Sequence, residues 1–187
     1  MTTSIWEGRL VRLRAVTASD WEAFHAWDQD SEMARRSWCI PLPRAPEGTR
    51  QWTASVASET PPGDEFRFAI ETLAGVLVGS LTVNSCEPRN GTFSYGIAIG
   101  LEHRRHGFAS EAVRLALRYY FQERRYQKVT AHVYAFNEPS IRLHERLGFQ
   151  REGCLRRMIY TDGHYFEDLL FGMTAEEFAE SQKESPI

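Results

Sequence analysis

The stretch of sequence that decides the fold reads Tyr95-Gly96-Ile97-Ala98-Ile99-Gly100-Leu101-Glu102-His103-Arg104-Arg105-His106-Gly107-Phe108-Ala109-Ser110-Glu111-Ala112. Its first residues are apolar and typical of a strand, and its last residues begin a long amphipathic helix pattern. A short basic loop with small residues at Gly107 and Ala109 joins the two. Because the first turn of a helix leaves backbone N–H groups without internal partners, this junction is suited to bind an anion.

A diphosphate at this junction would meet aligned backbone N–H groups and the side chains of Arg104, Arg105 and His106. Gly107 would let the anion approach the backbone closely. The sequence has neither a G-x-G-x-x-G after a strand nor a Gly-Lys-Ser/Thr triplet, so dinucleotide and Walker loops are not expected. A basic loop before an ordinary helix stays an alternative for this short pattern alone.

Strand and helix patterns alternate on both sides of this stretch. Strands are predicted over Gly8–Val16, Phe66–Glu71, Val76–Asn84, Thr92–Ile99, Lys128–Tyr134, Phe149–Tyr160 and His164–Met173. Helices are predicted from Thr17 or Asp20, over Thr49–Ser58, over Gly107–Arg124 and from Asn137 to Gly148. Residues 28–50 contain three prolines and are expected to be irregular. Along the long helix, Glu111, Arg114 and Arg118 are expected to face solvent.

This order predicts one α/β domain with a mixed, mostly antiparallel sheet. The fourth strand, the long helix and the fifth strand form a β-α-β unit, so these two strands are expected to be parallel. Asp162-Gly163 predicts a tight hairpin between the last two strands. The domain is expected to span residues 1–180, followed by a polar tail over residues 181–187.

Composition limits the partners and the location of the protein. The chain has 187 residues and a formal net charge of −3, so it lacks the overall basic field that attracts nucleic acid or an anionic membrane. Its three cysteines, Cys39, Cys86 and Cys154, predict neither a disulfide framework nor a zinc site. The sequence has no signal-peptide pattern and no apolar run of membrane length, which predicts a cytoplasmic protein. His103 and His106 lack a third ligand, so no metal is expected.

Two motifs resemble those of the GCN5-related N-acetyltransferase (GNAT) superfamily. The pyrophosphate loop of that family, Arg/Gln-x-x-Gly-x-Gly/Ala, is matched by Arg104-Arg105-His106-Gly107-Phe108-Ala109. Its second signature is matched by Asn137-Glu138-Pro139-Ser140-Ile141-Arg142-Leu143-His144-Glu145-Arg146-Leu147-Gly148-Phe149. The N-terminal Gly8-Arg9-Leu10-Val11-Arg12-Leu13-Arg14 strand and the Asp162-Gly163 hairpin resemble the RimJ/RimL-like branch, which contains ribosomal-protein and polyamine N-acetyltransferases. The likeness covers nearly the whole chain.

The resemblance implies acetyl-CoA as co-substrate and a gap between the fourth and fifth strands that holds its pantetheine arm. Backbone groups of Ile97 and Ile99 would pair with the arm as an added strand does. The cofactor-binding residues implied by the family motifs are Ile97, Ile99, Arg104, Arg105, His106, Gly107, Phe108, Ala109 and Asn137. For Asn137, a plain helix-capping role is an alternative, and both roles can hold together.

The chain departs from the family at the position of the catalytic donor. Many relatives carry a tyrosine in the second signature where this chain has His144. An imidazole could donate a proton to the departing sulfur, but His144 could equally be a packing residue. Ser140 and Tyr134 are alternative donors, and no residue stands out as the base, a role that an ordered water could take.

The resemblance also implies an acceptor pocket formed by the loop after the first helix and by the last hairpin. The candidate substrate-binding residues are Asp28, Glu32 and Trp38, with Tyr160 and Tyr165 opposite. Carboxylates and aromatic faces suit an ammonium group. A solvated loop with some core aromatic residues is the alternative.

The function implied is transfer of an acetyl group from acetyl-CoA to a primary amine, either a small molecule or a protein N-terminus, by direct attack through a tetrahedral intermediate. The alternative is a non-catalytic acyl-CoA-binding regulatory module with the same fold, which the missing tyrosine leaves open. Neither nucleic acid nor membrane is expected as a partner, and the terminal hairpin could support a homodimer.

Overall fold

The structure is a computed structural model that describes residues 4–37, 39–61 and 63–184. Its strands are β1 (Val11–Ala15), β2 (Phe66–Thr72), β3 (Leu77–Glu87), β4 (Thr92–Ile99), β5 (Lys128–Tyr134), β6 (Gln150–Thr161) and β7 (His164–Thr174). Its α-helices are α1 (Trp21–Asp28), α2 (Ser31–Ser37), α3 (Pro46–Ser58), α4 (Phe108–Arg118), α5 (Glu138–Leu147) and α6 (Ala175–Glu184). Within the described part of the chain, every helix is too short or too polar to cross a membrane.

The strands form one seven-stranded sheet in the order β1-β2-β3-β4-β5-β7-β6. Only β4 and β5 are parallel, and each other neighbouring pair is antiparallel. The predicted mixed α/β fold is therefore confirmed, including the parallel unit around α4. The Asp162-Gly163 hairpin is confirmed too, since both residues adopt the positive φ angles, 52° and 75°, that a tight two-residue turn requires.

Two apolar cores hold the helices against the sheet. The larger core lies under α4 and includes Val113 and Leu117 of that helix, Leu143 of α5 and Phe178 of α6. The smaller core is built around Phe24 of α1, with partly buried residues of α3 packed against it. Burial of apolar side chains on both faces fixes the sheet between two helical layers.

The parallel pair opens into a gap, and this opening positions the functional site. Only Thr92–Ser94 of β4 pair with β5, opposite Lys128–Thr130, whereas β4 continues to Ile99 along β3. Beyond Ser94 the two strands therefore separate. The predicted splay of β4 from β5 is present.

One expectation about local structure was wrong. Residues 28–50 are not irregular throughout, because they contain α2 and the start of α3. The carboxylate of Asp30 accepts hydrogen bonds from the N–H groups of Glu32 and Met33, at 2.9 and 3.1 Å, and so caps α2. The long helix agrees with its predicted range, since α4 ends at Arg118 and continues as one π-helical turn to Glu123. The division into a domain and a polar tail stays a prediction, and α6 extends to Glu184.

The solvent-facing side of α4 also differs from the expectation. Glu111 accepts three backbone hydrogen bonds, from Arg9, Leu10 and Val11, at 2.9, 2.7 and 2.7 Å. Arg118 donates to the carbonyl of Ile5. These side chains fasten the N-terminal segment to α4 because the segment before β1 crosses this face of the helix.

Candidate active site

A cleft of about 1060 Å³ opens where β4 and β5 separate. The start of α4, the first turns of α5 and one side of α2 enclose it. Of the residues that the family motifs assign to acetyl-CoA, those lining the cleft are Ile97, Ile99, Arg104, Arg105, Gly107, Phe108, Ala109 and Asn137. Two segments far apart in the sequence thus meet at one site.

The start of α4 has the geometry of an anion-binding helix terminus. Gly107 precedes the helix with φ +84°, in the left-handed region that favours glycine, and Arg105 has φ +66°. A Cβ atom on Gly107 would lie 3.3 Å from Cδ1 of Leu10, so even a methyl group would be tight there. The first residues of α4 line the cleft, so their backbone N–H groups are suited to bind an anion there.

The edge of β4 offers backbone groups to the gap. The N–H of Gly100 donates to the carbonyl of Val78 on β3 at 3.0 Å. In an antiparallel ladder alternate residues bond to the same neighbour, so the backbone groups of Ile97 and Ile99 point away from β3 and into the gap. The Arg104 side chain donates to the Ile99 carbonyl at 3.2 Å, which leaves both groups of Ile97 and the N–H of Ile99 for a ligand.

The cleft is strongly basic. Its lining includes five arginines, Arg36, Arg104, Arg105, Arg142 and Arg146, against one acidic side chain, Glu32. Glu32 lies 3.0 Å from Arg36 and 3.9 Å from Arg104. Burial, followed by the neighbouring charge of Arg36, lowers the pKa of Arg104. Such an excess of guanidinium groups fits a ligand with several phosphates.

Sequence reasoning assigned no role to Arg36, Arg142 and Arg146. The latter two stand four residues apart on α5 and thus on one helix face, which is a spacing that the second motif already contained. Arg36 reaches the cleft from α2. This helix was not predicted, because the nearby prolines indicated irregular structure.

His106 does not belong to the described lining of the cleft. Its ring stacks on Phe108, with ring centroids 5.4 Å apart, and its Nδ1 lies 3.2 Å from the carbonyl oxygen of His103. The side chain therefore stiffens the loop before α4 rather than facing the ligand site.

Asn137 both caps α5 and lines the cleft. Its side-chain oxygen accepts from the N–H of Ser140 at 3.4 Å, and its amide nitrogen donates to the carbonyl of Arg36 at 3.2 Å. The residue consequently joins α5 to α2 across the cleft. Ser140, in the first turn of α5, also lines the cleft, and its hydroxyl oxygen lies 3.5 Å from Nδ1 of His144.

His144 faces the core instead of the cleft. Its side chain is 3% exposed, Nδ1 lies 2.8 Å from the carbonyl oxygen of Ser140, and Nε2 lies 2.8 Å from the hydroxyl of Tyr95. Because a carbonyl can only accept, Nδ1 bears the proton and Nε2 accepts from Tyr95. Burial lowers the pKa of His144 and outweighs the Ser140 carbonyl, which raises it. This geometry favours the packing role over the donor role.

Tyr134 lies at the end of β5, on the other side of the strand gap from α4. It pairs in the sheet with Asp168 of β7, and its ring is 5.6 Å from that of Phe136. Burial, followed by the charge of Asp168, raises the pKa of its hydroxyl.

The segments expected to hold the acceptor do face each other. Arg35 of α2 lies 3.6 Å from Asp162 at the tip of the β6–β7 hairpin. Tyr160 and Tyr165 of that hairpin are exposed, with ring centroids 4.9 Å apart and the rings tilted by 53°, whereas Glu32 lines the cleft itself. Asp28 is the last residue of α1, outside the described cleft lining. Trp38 lies outside the described residues.

Comparison with known proteins gives the family of the chain. The family described as Acetyltransferase (GNAT) domain matches residues 10–150. The chain is 40% identical to the SPbeta prophage-derived uncharacterized N-acetyltransferase YokL of Bacillus subtilis (strain 168), over 95% of this chain and 97% of that protein.

Solved structures share the fold. A spermidine N-acetyltransferase from Vibrio cholerae, crystallised with CoA and spermine, superimposes with a TM-score of 0.79 at 21% identity, covering 90% of this chain and 98% of that one. A GNAT-family acetyltransferase from Bacillus anthracis superimposes with a TM-score of 0.74 at 22% identity, covering 91% and 98%. Together with the family match, the basic cleft and the open edge of β4, these likenesses identify the chain as a member of the GNAT family of acetyltransferases, with acetyl-CoA as its co-substrate.

Proposed function

We propose that this acetyltransferase transfers the acetyl group to a primary amine by direct attack of the amine on the thioester, as a member of the RimJ/RimL-like branch. The observation that supports it best is the gap between β4 and β5. The cleft that opens at this gap is lined by the start of α4, where a diphosphate is suited to bind. A co-substrate in the cleft and an amine on the sheet face would meet in that gap.

In this proposal the co-substrate is held mainly by backbone groups. The diphosphate would lie at Gly107–Ala109, with Arg104 and Arg105 beside it. The pantetheine arm would pair with Ile97 and Ile99 as an added strand. The N–H groups of β4 could also stabilise the negative charge that develops on the carbonyl oxygen.

Ser140 is our candidate for the donor that protonates the departing sulfur. Ser140 lines the cleft, while His144 is buried with both ring nitrogens engaged. Tyr134 stands on the acceptor side and suits contact with the amine better than contact with the thiol. A hydroxyl group is also neutral when it donates its proton, whereas an imidazolium donor would add positive charge beside the guanidinium groups of the cleft.

The acceptor class includes polyamines and other alkylammonium compounds as well as protein N-termini. A fold neighbour acts on spermidine, which places polyamines in the test panel. Acidic and aromatic groups on α2 and the hairpin, Glu32, Tyr160 and Tyr165, fit a cation. The non-catalytic alternative has no support among the described residues, and the homodimer stays a prediction for a molar-mass measurement in solution.

The proposed function is tested by thiol release from acetyl-CoA with polyamines, aminoglycosides, amino-acid amides and N-terminal peptides. We expect amine-dependent release with at least one class and acetylated amine as the product in the mass spectrum. A control without amine measures hydrolysis. Absence of amine-dependent release from a protein that binds acetyl-CoA would contradict the proposed acceptor classes.

A further inference from the structure

Asp168 of β7 is a buried carboxylate with an unpartnered oxygen. The residue is 6% exposed, and its Oδ2 lies 2.7 Å from Nδ1 of His132 on β5. Its Oδ1 is buried, and no residue in the described ranges donates a hydrogen bond to it. Because a buried carboxylate oxygen without a donor is costly, this atom is suited to receive a donor from a ligand.

The pair lies on the sheet face opposite α4, beside the strand gap. Val129, Ala131 and Val133 of β5 are buried in the larger core, so the alternating residues His132 and Tyr134 point to the other face. His132 is two residues past the last β5 residue that pairs with β4, and Tyr134 pairs with Asp168. The imidazole therefore borders the opening between β4 and β5, and the carboxylate that holds it lies one strand further away, on β7.

Aromatic side chains complete a site with the chemistry of an ammonium receptor. The ring of Phe136 lies 5.6 Å from that of Tyr134 and 4.9 Å from that of Phe166. Phe166 is two residues before Asp168 on β7 and so shares its sheet face. A carboxylate next to several ring faces attracts an alkylammonium ion more strongly than either group alone.

We infer that Asp168 and His132 form the receiving site for the acceptor amine, in which Asp168 Oδ1 binds the ammonium group and His132 Nε2 accepts a proton from it. This inference rests on the proposed function and names the acceptor side of the same reaction. With the Nδ1 proton donated to Asp168, Nε2 is left as an acceptor. His132 is half-exposed, so it can pass the proton on to solvent.

The protons balance over the reaction. The ammonium group loses one proton to His132, and the resulting amine nitrogen forms a bond to the thioester carbon. When the carbon–sulfur bond breaks, the nitrogen loses a second proton and the departing sulfur gains one. The products are an amide, a free thiol and one proton released to solvent through His132.

The test uses the full chain saturated with CoA and n-butylammonium chloride as the probe. The His132 ring resonances are followed by NMR, with sodium chloride at the same ionic strength as reference. We expect a saturable shift in the wild type that is lost in Asp168→Asn. Glu152→Gln is the matched control. Glu152 also forms an ion pair with a residue of β5, Lys128, but at the opposite end of that strand from His132, so this variant should keep the shift.

Unchanged His132 resonances, or an equal response in Asp168→Asn, would overturn the inference. If Asp168→Asn does not fold, His132→Gln replaces it, with the resonances of Phe166 as the readout. Addition of acetyl-CoA alone tests the proposed function separately, since it should shift the backbone resonances of Ile97 and Gly107. A failure of that shift refutes the cleft assignment, whereas a failure with n-butylammonium refutes only the acceptor site.

Turnover provides a second readout for whichever amine of the panel is acetylated. Asp168→Asn and His132→Gln should each lower kcat/KM for the amine by about 100-fold or more, as expected for loss of a general base, with the KM for acetyl-CoA unchanged. Equal kcat/KM in the variants and in Glu152→Gln would overturn the role.

Discussion

The two sides of the strand gap hold their functional groups in different ways. On the α4 side these are backbone groups, the first N–H groups of α4 and the open edge of β4, made accessible by Gly107. On the β7 side they are side chains, an imidazole and a carboxylate set by His132 and Asp168. Backbone groups follow from the fold, whereas side chains can change with single substitutions. In the proposed function the α4 side thus binds the co-substrate with groups set by the fold, whereas the β7 side binds the acceptor with side chains that single substitutions can change.

The largest effect is expected from Gly107→Asp on the α4 side. The change adds bulk at φ +84° and a negative charge where the diphosphate is proposed to bind. Charged hydrogen bonds are worth about 1.5–3 kcal/mol each, so the affinity for acetyl-CoA should fall about 100-fold or more in calorimetry. Gly75→Asp, at φ +83° in an open turn, is the matched control and should bind normally. Unchanged acetyl-CoA affinity in folded Gly107→Asp would contradict the binding of the diphosphate at the start of α4.

Ser140→Ala should have the next largest effect, on turnover instead of binding. Loss of a proton donor to the sulfur should lower kcat by about 100-fold while the KM for acetyl-CoA stays within a few-fold of the wild type. His144→Phe provides the comparison, since His144 packs in the core and its replacement should leave kcat largely intact. Normal turnover by Ser140→Ala, or a larger loss of kcat in His144→Phe, would contradict Ser140 as the proton donor and favour His144 in that role.

The buried His144 should make the folded state sensitive to acid. Burial lowers its pKa in the folded state below the usual 6.5, so both states are neutral above that value. As the pH falls through 6.5 the unfolded chain takes up a proton that the folded chain does not, and stability drops by up to about 1.4 kcal/mol per pH unit.

Urea unfolding at pH 7.5 and 5.5 measures this contribution. The loss of stability on acidification should be smaller in His144→Phe than in the wild type, whereas replacement of the exposed His164 by Gln should leave it unchanged. An equal loss in His144→Phe and wild type would show that His144 is accessible to protons, as a cleft residue is.

The smallest effect is expected from Arg104→Ala. Arg104 Nε already donates to the Ile99 carbonyl, so we expect its guanidinium to contribute a charge term of roughly 0.3–1 kcal/mol, and acetyl-CoA affinity should weaken only about twofold to fivefold. A loss this small would show that the charge of Arg104 contributes less to acetyl-CoA affinity than the backbone groups on the α4 side do. A loss as large as that of Gly107→Asp would mean that the arginine, and not the helix start, dominates the binding.

Local patterns explain which parts could be predicted from the sequence. The start of α4, the cap of α5 and the Asp162-Gly163 turn each depend on residues within one short segment, and each has its expected conformation. By contrast, α2 was missed because prolines nearby suggested a loop, although Asp30 followed by Ser31 is an ordinary helix cap.

Pairings across the sheet explain what could not be predicted. The contact of His144 with Tyr95 joins residues 49 positions apart, and that of His132 with Asp168 joins residues 36 positions apart. Both depend on which strands are neighbours and in which register, and β7 inserts between β5 and β6 against the order of the chain. The hydrophobic periodicity of a strand does not indicate which strands become its neighbours in the sheet.

The most direct test of the central claim, that acetyl-CoA occupies the cleft at the start of α4, is hydrogen–deuterium exchange with and without acetyl-CoA. Bound acetyl-CoA should protect peptides covering residues 97–109 and 137–146. The protein has a second cavity, of about 350 Å³, lined by Trp6, Phe68 and Tyr119 on the N-terminal side of the sheet. Protection confined to peptides around that cavity, with residues 97–109 unchanged, would contradict the account.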